Sequence, residues 1–169
     1  MDAVVDAIRA ALAAGRVGAV ATITRVRGST YRREGARMFV PADGEPVGTL
    51  SGGCLEGDVA EVARQVIGTG RPRRVGYDMT ADDDALWGLG LGCNGAVEVL
   101  VEPLSSWHQQ VLDWREAGRR LAVVTPLPPL EPRLPAAGVP GGDTAPGSGA
   151  EAGDAGAAGV AGCAVTPDA

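Results

Sequence analysis

The run that most restricts what this chain can build is Gly48-Thr49-Leu50-Ser51-Gly52-Gly53-Cys54-Leu55-Glu56. It reads as the end of a strand, a glycine turn, and the first turn of a helix that carries a cysteine. Adjacent glycines accept positive φ and let backbone N–H groups converge, and a helix start adds unpaired N–H groups with positive partial charge. Such a turn suits an anion, and the same field favours a thiolate, so Cys54 is a candidate reactive cysteine. The alternative for Cys54 is a small residue packing a helix start, since cysteine is among the most buried residue types. A second stretch, Gly88-Leu89-Gly90-Leu91-Gly92-Cys93-Asn94-Gly95, has the same character and suggests a site made of two such loops.

Around these loops the apolar residues alternate between helical and strand spacing. Val4, Val5, Ile8, Ala11 and Leu12 predict a helix over residues 2–14, stopped by Gly15. Residues 17–26 follow as a strongly apolar strand suited to a central position. Residues 36–40 and 46–50 predict a hairpin turned at Asp43-Gly44, which delivers the chain to the glycine turn. Leu55, Val59, Val62, Ala63, Val66 and Ile67 then predict a helix from Leu55 to about Thr69, with Glu56 and Asp58 in its first turn, where acids complement the dipole. Strands over residues 73–79, 96–101 and 121–125, and a helix from Ser105 or Ser106 to Gly118, complete the pattern. The expected fold class is α/β: one layered domain with a mixed sheet and flanking helices over residues 1–125.

From Pro126 onward the composition changes to Pro, Gly and Ala with scattered acids and almost no large apolar side chains. Such a stretch buries too little surface to offset the entropy of ordering it, so residues 126–169 are expected to be a disordered, low-complexity tail. It carries five acids and one base, which leaves residues 1–125 at a net −2 against −6 for the whole chain. A nearly neutral domain offers no broad footprint for nucleic acid. No run is long and apolar enough to span a bilayer, and no basic segment followed by an apolar run marks the start as an export signal, so the expectation is a cytoplasmic protein that engages no membrane. Three cysteines in that setting argue against a disulfide framework.

Other residues could also carry chemistry. Arg25, Arg27, Arg32, Arg33 and Arg37 crowd around Ser29, Thr30 and Tyr31. Guanidinium forks with hydroxyls and glycine N–H groups suit a phosphate or carboxylate, although such a cluster can equally be a solvated surface loop. Glu56 could act as a general base or merely stabilise its helix. His108, the one histidine, reads as a surface or packing residue, and Asp82 to Asp84 as a solvated loop. Gly88-x-Gly90-x-Gly92 leads into a strand instead of opening a helix, so a dinucleotide fingerprint fails on context. Cys54 and Cys93, far apart and without a CxxC, are a weak zinc signal, so no metal is assigned.

Three motifs in order resemble the XdhC/CoxI family, accessory proteins of molybdenum hydroxylases: residues 28–38 (GSTYRREGARM), 48–56 (GTLSGGCLE), and 92–95 (GCNG) with 99–103 (VLVEP). The resemblance implies a chaperone that transiently binds the molybdenum cofactor (molybdopterin), shields it while a cysteine desulfurase supplies its terminal sulfur, and helps insert it into an apo-hydroxylase of the xanthine dehydrogenase or carbon monoxide dehydrogenase type. Carried onto this chain, it implies a cofactor site at Ser29, Arg32, Arg37, Ser51, Gly52, Gly53, Cys54, Glu56, Gly92, Cys93 and Gly95. Longer family members continue into a Rossmann-type domain; here the resemblance covers roughly residues 1–125, so a separately encoded Rossmann partner or a homodimer is implied. Two other classes stand beside this reading: a docking module that touches no cofactor, and a thiol-dependent, anion-binding enzyme. The sequence shows no acid–base constellation for the last.

Overall fold

The computed structural model describes residues 2–79 and 95–133, and the backbone of residues 164–167. Helix α1 (Ala3–Ala13) starts where Asp2, in an extended conformation, accepts the Val4 N–H at 3.1 Å, and it buries Val4, Ile8 and Ala11 along one stripe. Loss of such a cap typically costs about 1 kcal/mol. The central strand β1 (Gly18–Gly28) runs between β2 (Arg37–Pro41) and β5 (Gly95–Pro103), antiparallel to both. Beyond β2 lies the short β3 (Val47–Gly48), and beyond β5 lies β4 (Arg73–Asp78).

The apolar run of β1 is explained by what covers it. Ala19, Ala21 and Ile23 join Met38, Val75, Tyr77, Val97, Val99 and Val101 under α2 (Glu56–Thr69), whose Val59, Val62, Ala63 and Val66 are fully buried. Each valine withdrawn from water contributes roughly 1.5–3 kcal/mol. On the opposite face Val20 and Phe39 pack with Val4, Ile8 and Ala11 of α1 and Leu112 of α3 (Ser106–Glu116). The result is a helix layer, a mixed sheet and a second helix layer, the α/β arrangement that the alternating periodicity predicts. Helix α2 ends at Gly70, whose φ of +67° lets its N–H return to the Val66 carbonyl.

The sheet continues past residue 125. Strand β7 (Leu130–Arg133) adds to β4 in parallel, giving the order β3-β2-β1-β5-β4-β7. Arg73 pairs with Glu131, and Arg133 donates to Asp58 at 3.0 Å. Pro132 is compatible with this because the strand is an edge. The apolar strand β6 (Leu121–Val124) lies outside this sheet and pairs antiparallel with β8 (Ala164–Pro167). Both β7 and β8 fall within residues 126–169, where eight residues carry strand backbone.

Candidate functional site

The turn from Thr49 to Leu55 is organised by one carboxylate. Glu56, the first residue of α2, folds back under the turn and accepts six hydrogen bonds. Its Oε1 receives the Thr49 hydroxyl at 2.5 Å and the Leu50 and Ser51 N–H groups at 2.9 Å. Its Oε2 receives the Ser51 hydroxyl at 2.5 Å, the Gly53 N–H at 2.9 Å and the Leu55 N–H at 3.2 Å. Burial alone would favour protonation, but the Ser51 and Thr49 hydroxyls and the Ser51 and Leu50 N–H groups outweigh it and hold the group at about 2. Glu56 is therefore ionised at neutral pH, with its lone pairs committed to the turn. It acts on the loop as a positioning residue, and the general-base role considered from sequence has no vacant acceptor to work with.

This changes the electrostatics of the glycine turn. The N–H groups that the sequence offers to an outside anion receive an internal one: Gly53 donates to Glu56, and Gly52 donates to the Thr49 hydroxyl at 3.1 Å. Glycine is still required, because φ is +84° at Gly52 and +124° at Gly53. Cys54 is half-buried and packs against the core under α2, two residues before the helix begins.

The arginine-rich loop meets this turn through an aromatic ring. A Cβ built on Gly52 would lie 3.4 Å from Cγ, Cδ1 and Cδ2 of Tyr31, so the ring lies face-on over Gly52. The loop that carries Tyr31 is braced throughout: Glu34 accepts the Val26 N–H at 2.9 Å, Thr30 donates to the Arg32 carbonyl at 2.7 Å, and Gly35 and Ala36 exchange bonds with Ile23. Gly95, at the end of the second glycine stretch, closes against the same loop. A Cβ there would stand 2.6 Å from the carbonyl oxygens of both Arg27 and Ser29, so only glycine admits this approach. Ser29, Tyr31, Ser51, Gly52, Gly53, Cys54 and Gly95 thus share one end of the sheet with the start of α2.

The remaining candidates are distributed differently. Arg32 and Arg33 are exposed in the same loop, and among the described residues no carboxylate pairs with either. Arg25 and Arg27 approach Glu98 at 4.0 Å and Asp78 at 3.9 Å. Arg37 begins β2 on the face of Phe39, where its charge acts on Glu102 and His108, away from the glycine turn. His108 is buried, stacked on Trp107, and accepts the Ser105 N–H at Nδ1. Gly92, Cys93 and Asp82 to Asp84 lie outside the described residues, so the two-cysteine arrangement has no geometry here. Among the described residues no group of three or more His, Cys, Asp and Glu stands together as a metal site.

Sequence reasoning left Tyr31 among the hydroxyl groups of the loop and missed its contact with Gly52. It also missed Asp58, which accepts the Tyr77 hydroxyl at 2.6 Å as well as Arg133 and so ties the start of α2 to β4 and β7. An aromatic set between Ser29-Thr30 and Arg32-Arg33 was the available signal for the first; nothing local announces the second.

The glycine turn and the braced arginine loop both lie within a stretch that is recognisable elsewhere. Residues 2–78 match the model described as the XdhC and CoxI family. Residues 2–78 are similar to that family over just under half of the chain. Among curated proteins, the chain is 36% identical over 109 residues to a probable xanthine dehydrogenase subunit of Bacillus subtilis, covering 62% of this chain and 33% of that one. It is 32% identical over 96 residues to the molybdenum cofactor insertion chaperone PaoD of Escherichia coli, covering 57% of this chain and 29% of PaoD. Among solved structures, a xanthine dehydrogenase from Bacillus halodurans superposes with a TM-score of 0.61 at 38% identity, covering 72% of this chain and 37% of that one. The XdhC/CoxI-like chain therefore spans about a third of the length of these relatives.

Proposed function

We propose that this chain serves in the maturation of a molybdenum hydroxylase, taking up the molybdenum cofactor transiently, holding it during sulfuration and passing it to the apo-enzyme. The observation that carries the reading is the meeting, at one end of the sheet, of the Cys54 turn, the Tyr31 to Arg33 segment and Gly95, in a chain similar over residues 2–78 to the XdhC and CoxI family. A molybdopterin presents a phosphate, a flat ring and a metal–sulfur centre. The exposed guanidiniums of Arg32 and Arg33 suit the first, and the half-buried Cys54 suits the neighbourhood of the last as ligand, relay or shield. The N–H groups of the glycine turn serve differently, because Glu56 already fills them and fixes the turn that presents Cys54.

The partners in this reading are the apo-hydroxylase, of the xanthine dehydrogenase or carbon monoxide dehydrogenase type, and a cysteine desulfurase, met in the cytoplasm. A Rossmann-domain protein and a second copy of this chain are further partners in this reading. A docking module that engages the hydroxylase without cofactor is the second reading, favoured by the Glu56 carboxylate, which occupies the turn N–H groups that a cofactor phosphate would otherwise engage. The two are separated by incubating the full chain with isolated molybdenum cofactor, removing free cofactor and measuring pterin fluorescence, with Cys54→Ser and Cys93→Ser in parallel. Retention by the wild type that falls in either cysteine variant supports maturation. Absence of retention, with hydroxylase binding intact in both variants, overturns it in favour of docking.

A further inference from the structure

Tyr31 is an unusual surface residue. It is 67% exposed, yet one ring face lies over Gly52, at van der Waals distance from where a Cβ there would stand, and the loop that carries it is braced by side-chain and backbone hydrogen bonds on both sides. An aromatic on a braced backbone loses less entropy when something stacks on its open face than one on a mobile loop, which makes such residues efficient binding surfaces. The φ of +84° at Gly52 keeps any side chain from being accommodated comfortably beneath the ring. Directly after Tyr31 come two exposed arginines with no carboxylate partner among the described residues. Aromatic faces beside guanidiniums suit flat rings that carry negative charge, the ring for stacking and the guanidiniums for the charge.

We propose that the outer face of Tyr31 is a stacking platform for a flat, phosphate-bearing heteroaromatic ring, with Arg32 and Arg33 supplying charge to the phosphate. This deepens the maturation reading and rests on it for the identity of the ring, a pterin. The hydroxyl of Tyr31 is not needed for stacking, so the ring alone defines the residue's role.

The test uses the full chain with three probes: 6-hydroxymethylpterin, its monophosphate ester, and GMP as a flat phosphate of another class. Binding is read by quenching of pterin fluorescence, and for GMP by competition. Tyr31→Ala is expected to weaken both pterin probes about tenfold, the scale of one ring stacked on an aromatic, while Tyr31→Phe stays within about threefold. Arg32→Ala with Arg33→Ala is expected to weaken the ester and leave the free pterin unchanged. Because Tyr31 is exposed, thermal melts of its variants should match the wild type and exclude misfolding as the cause. Equal binding by wild type and Tyr31→Ala, or no binding of either pterin by the wild type, overturns the platform. Tighter binding of GMP than of the ester overturns the pterin assignment. Retention of molybdenum cofactor, measured on the same preparations, separates the two ideas: cofactor held equally by Tyr31→Ala overturns the platform alone, and pterin ester bound through Tyr31 without cofactor retention overturns the maturation reading alone.

Discussion

Glu56→Gln is the substitution that tests the architecture of the glycine turn most directly. The carboxylate titrates at about 2 instead of the ordinary 4.5. At 1.36 kcal/mol per pH unit that difference corresponds to roughly 3 kcal/mol of preferential binding of the charged form. The group is only half-buried, so solvent screening reduces the realised stability to about 1–2 kcal/mol. The amide also replaces one acceptor by a donor facing hydroxyl and N–H groups, and an unmet donor in a partly buried site costs about 1–3 kcal/mol. A combined loss near 3 kcal/mol lowers Tm at pH 7 by about 6–12 °C in a chain of this size. The sign of the pH dependence follows from the lowered titration point: the contribution is complete above pH 4.5 and is lost as pH falls toward 2. Wild type should therefore destabilise over that window, and Glu56→Gln should destabilise less steeply, measured by urea unfolding at pH 7, 4.5 and 3. Amide exchange at Leu50, Ser51, Gly53 and Leu55 should accelerate together in the variant. A Tm within 1 °C of wild type, or unchanged protection of those four N–H groups, would refute the reasoning.

Gly95→Ala forces a methyl to within 2.6 Å of two backbone oxygens, so urea unfolding should show a loss of about 1–3 kcal/mol, the usual cost of overpacking. Asp58→Asn weakens acceptance from both the Tyr77 hydroxyl and Arg133; a loss of about 1–3 kcal/mol is expected, the scale for hydrogen bonds to a charged group, with faster amide exchange over residues 130–133. The Glu102 and His108 pair gives opposing pH effects. Burial raises Glu102 to about 7, against the pull of Arg37, so its share of stability falls as pH rises from 4.5 to 7. Burial lowers His108 to about 4, with Arg37 acting in the same direction, so its share rises with pH from 4 to 6.5. Glu102→Gln should thus steepen the gain in stability between pH 4.5 and 6.5, and equal slopes in variant and wild type would contradict the assignment.

The helices and the central strands were legible because each has a local cause. Val4, Ile8 and Ala11 repeat with the helical period, Asp43-Gly44 names its turn, and an unbroken apolar run such as that of β1 can only be covered on both faces. What escaped was decided by partners far along the chain. Leu130-Glu131-Pro132-Arg133 has no strand-like alternation and gains its place through parallel pairing with β4 and through Arg73 and Asp58, 58 and 75 residues away in the pairs they form. Leu121 to Val124 has the apolar content of a strand but does not name its neighbour, and it pairs with Ala164 to Pro167 instead of the main sheet. At the site, the sequence marks the glycine turn and the helix start, and from these an anion site follows. It does not reveal that an acid in the first turn reaches back to fill that site, because a first-turn glutamate satisfies the dipole argument equally well whether it points outward or back.

That internal anion alters where a ligand's charge must be met. With Glu56 ionised beneath the turn and the N–H groups of Gly52 and Gly53 engaged, a phosphate approaching Cys54 meets a neutralised loop instead of a row of open donors. The positive charge left to receive it lies across the Tyr31–Gly52 contact, on Arg32 and Arg33. The division has a physical advantage for a carrier. Guanidiniums in water hold a phosphate with modest, salt-sensitive strength, whereas a ring of converging buried N–H groups would hold it tightly and release it slowly. A turn locked by its own carboxylate fixes the geometry around Cys54 and leaves the attraction to exposed groups. Those properties suit cargo that is to be handed on.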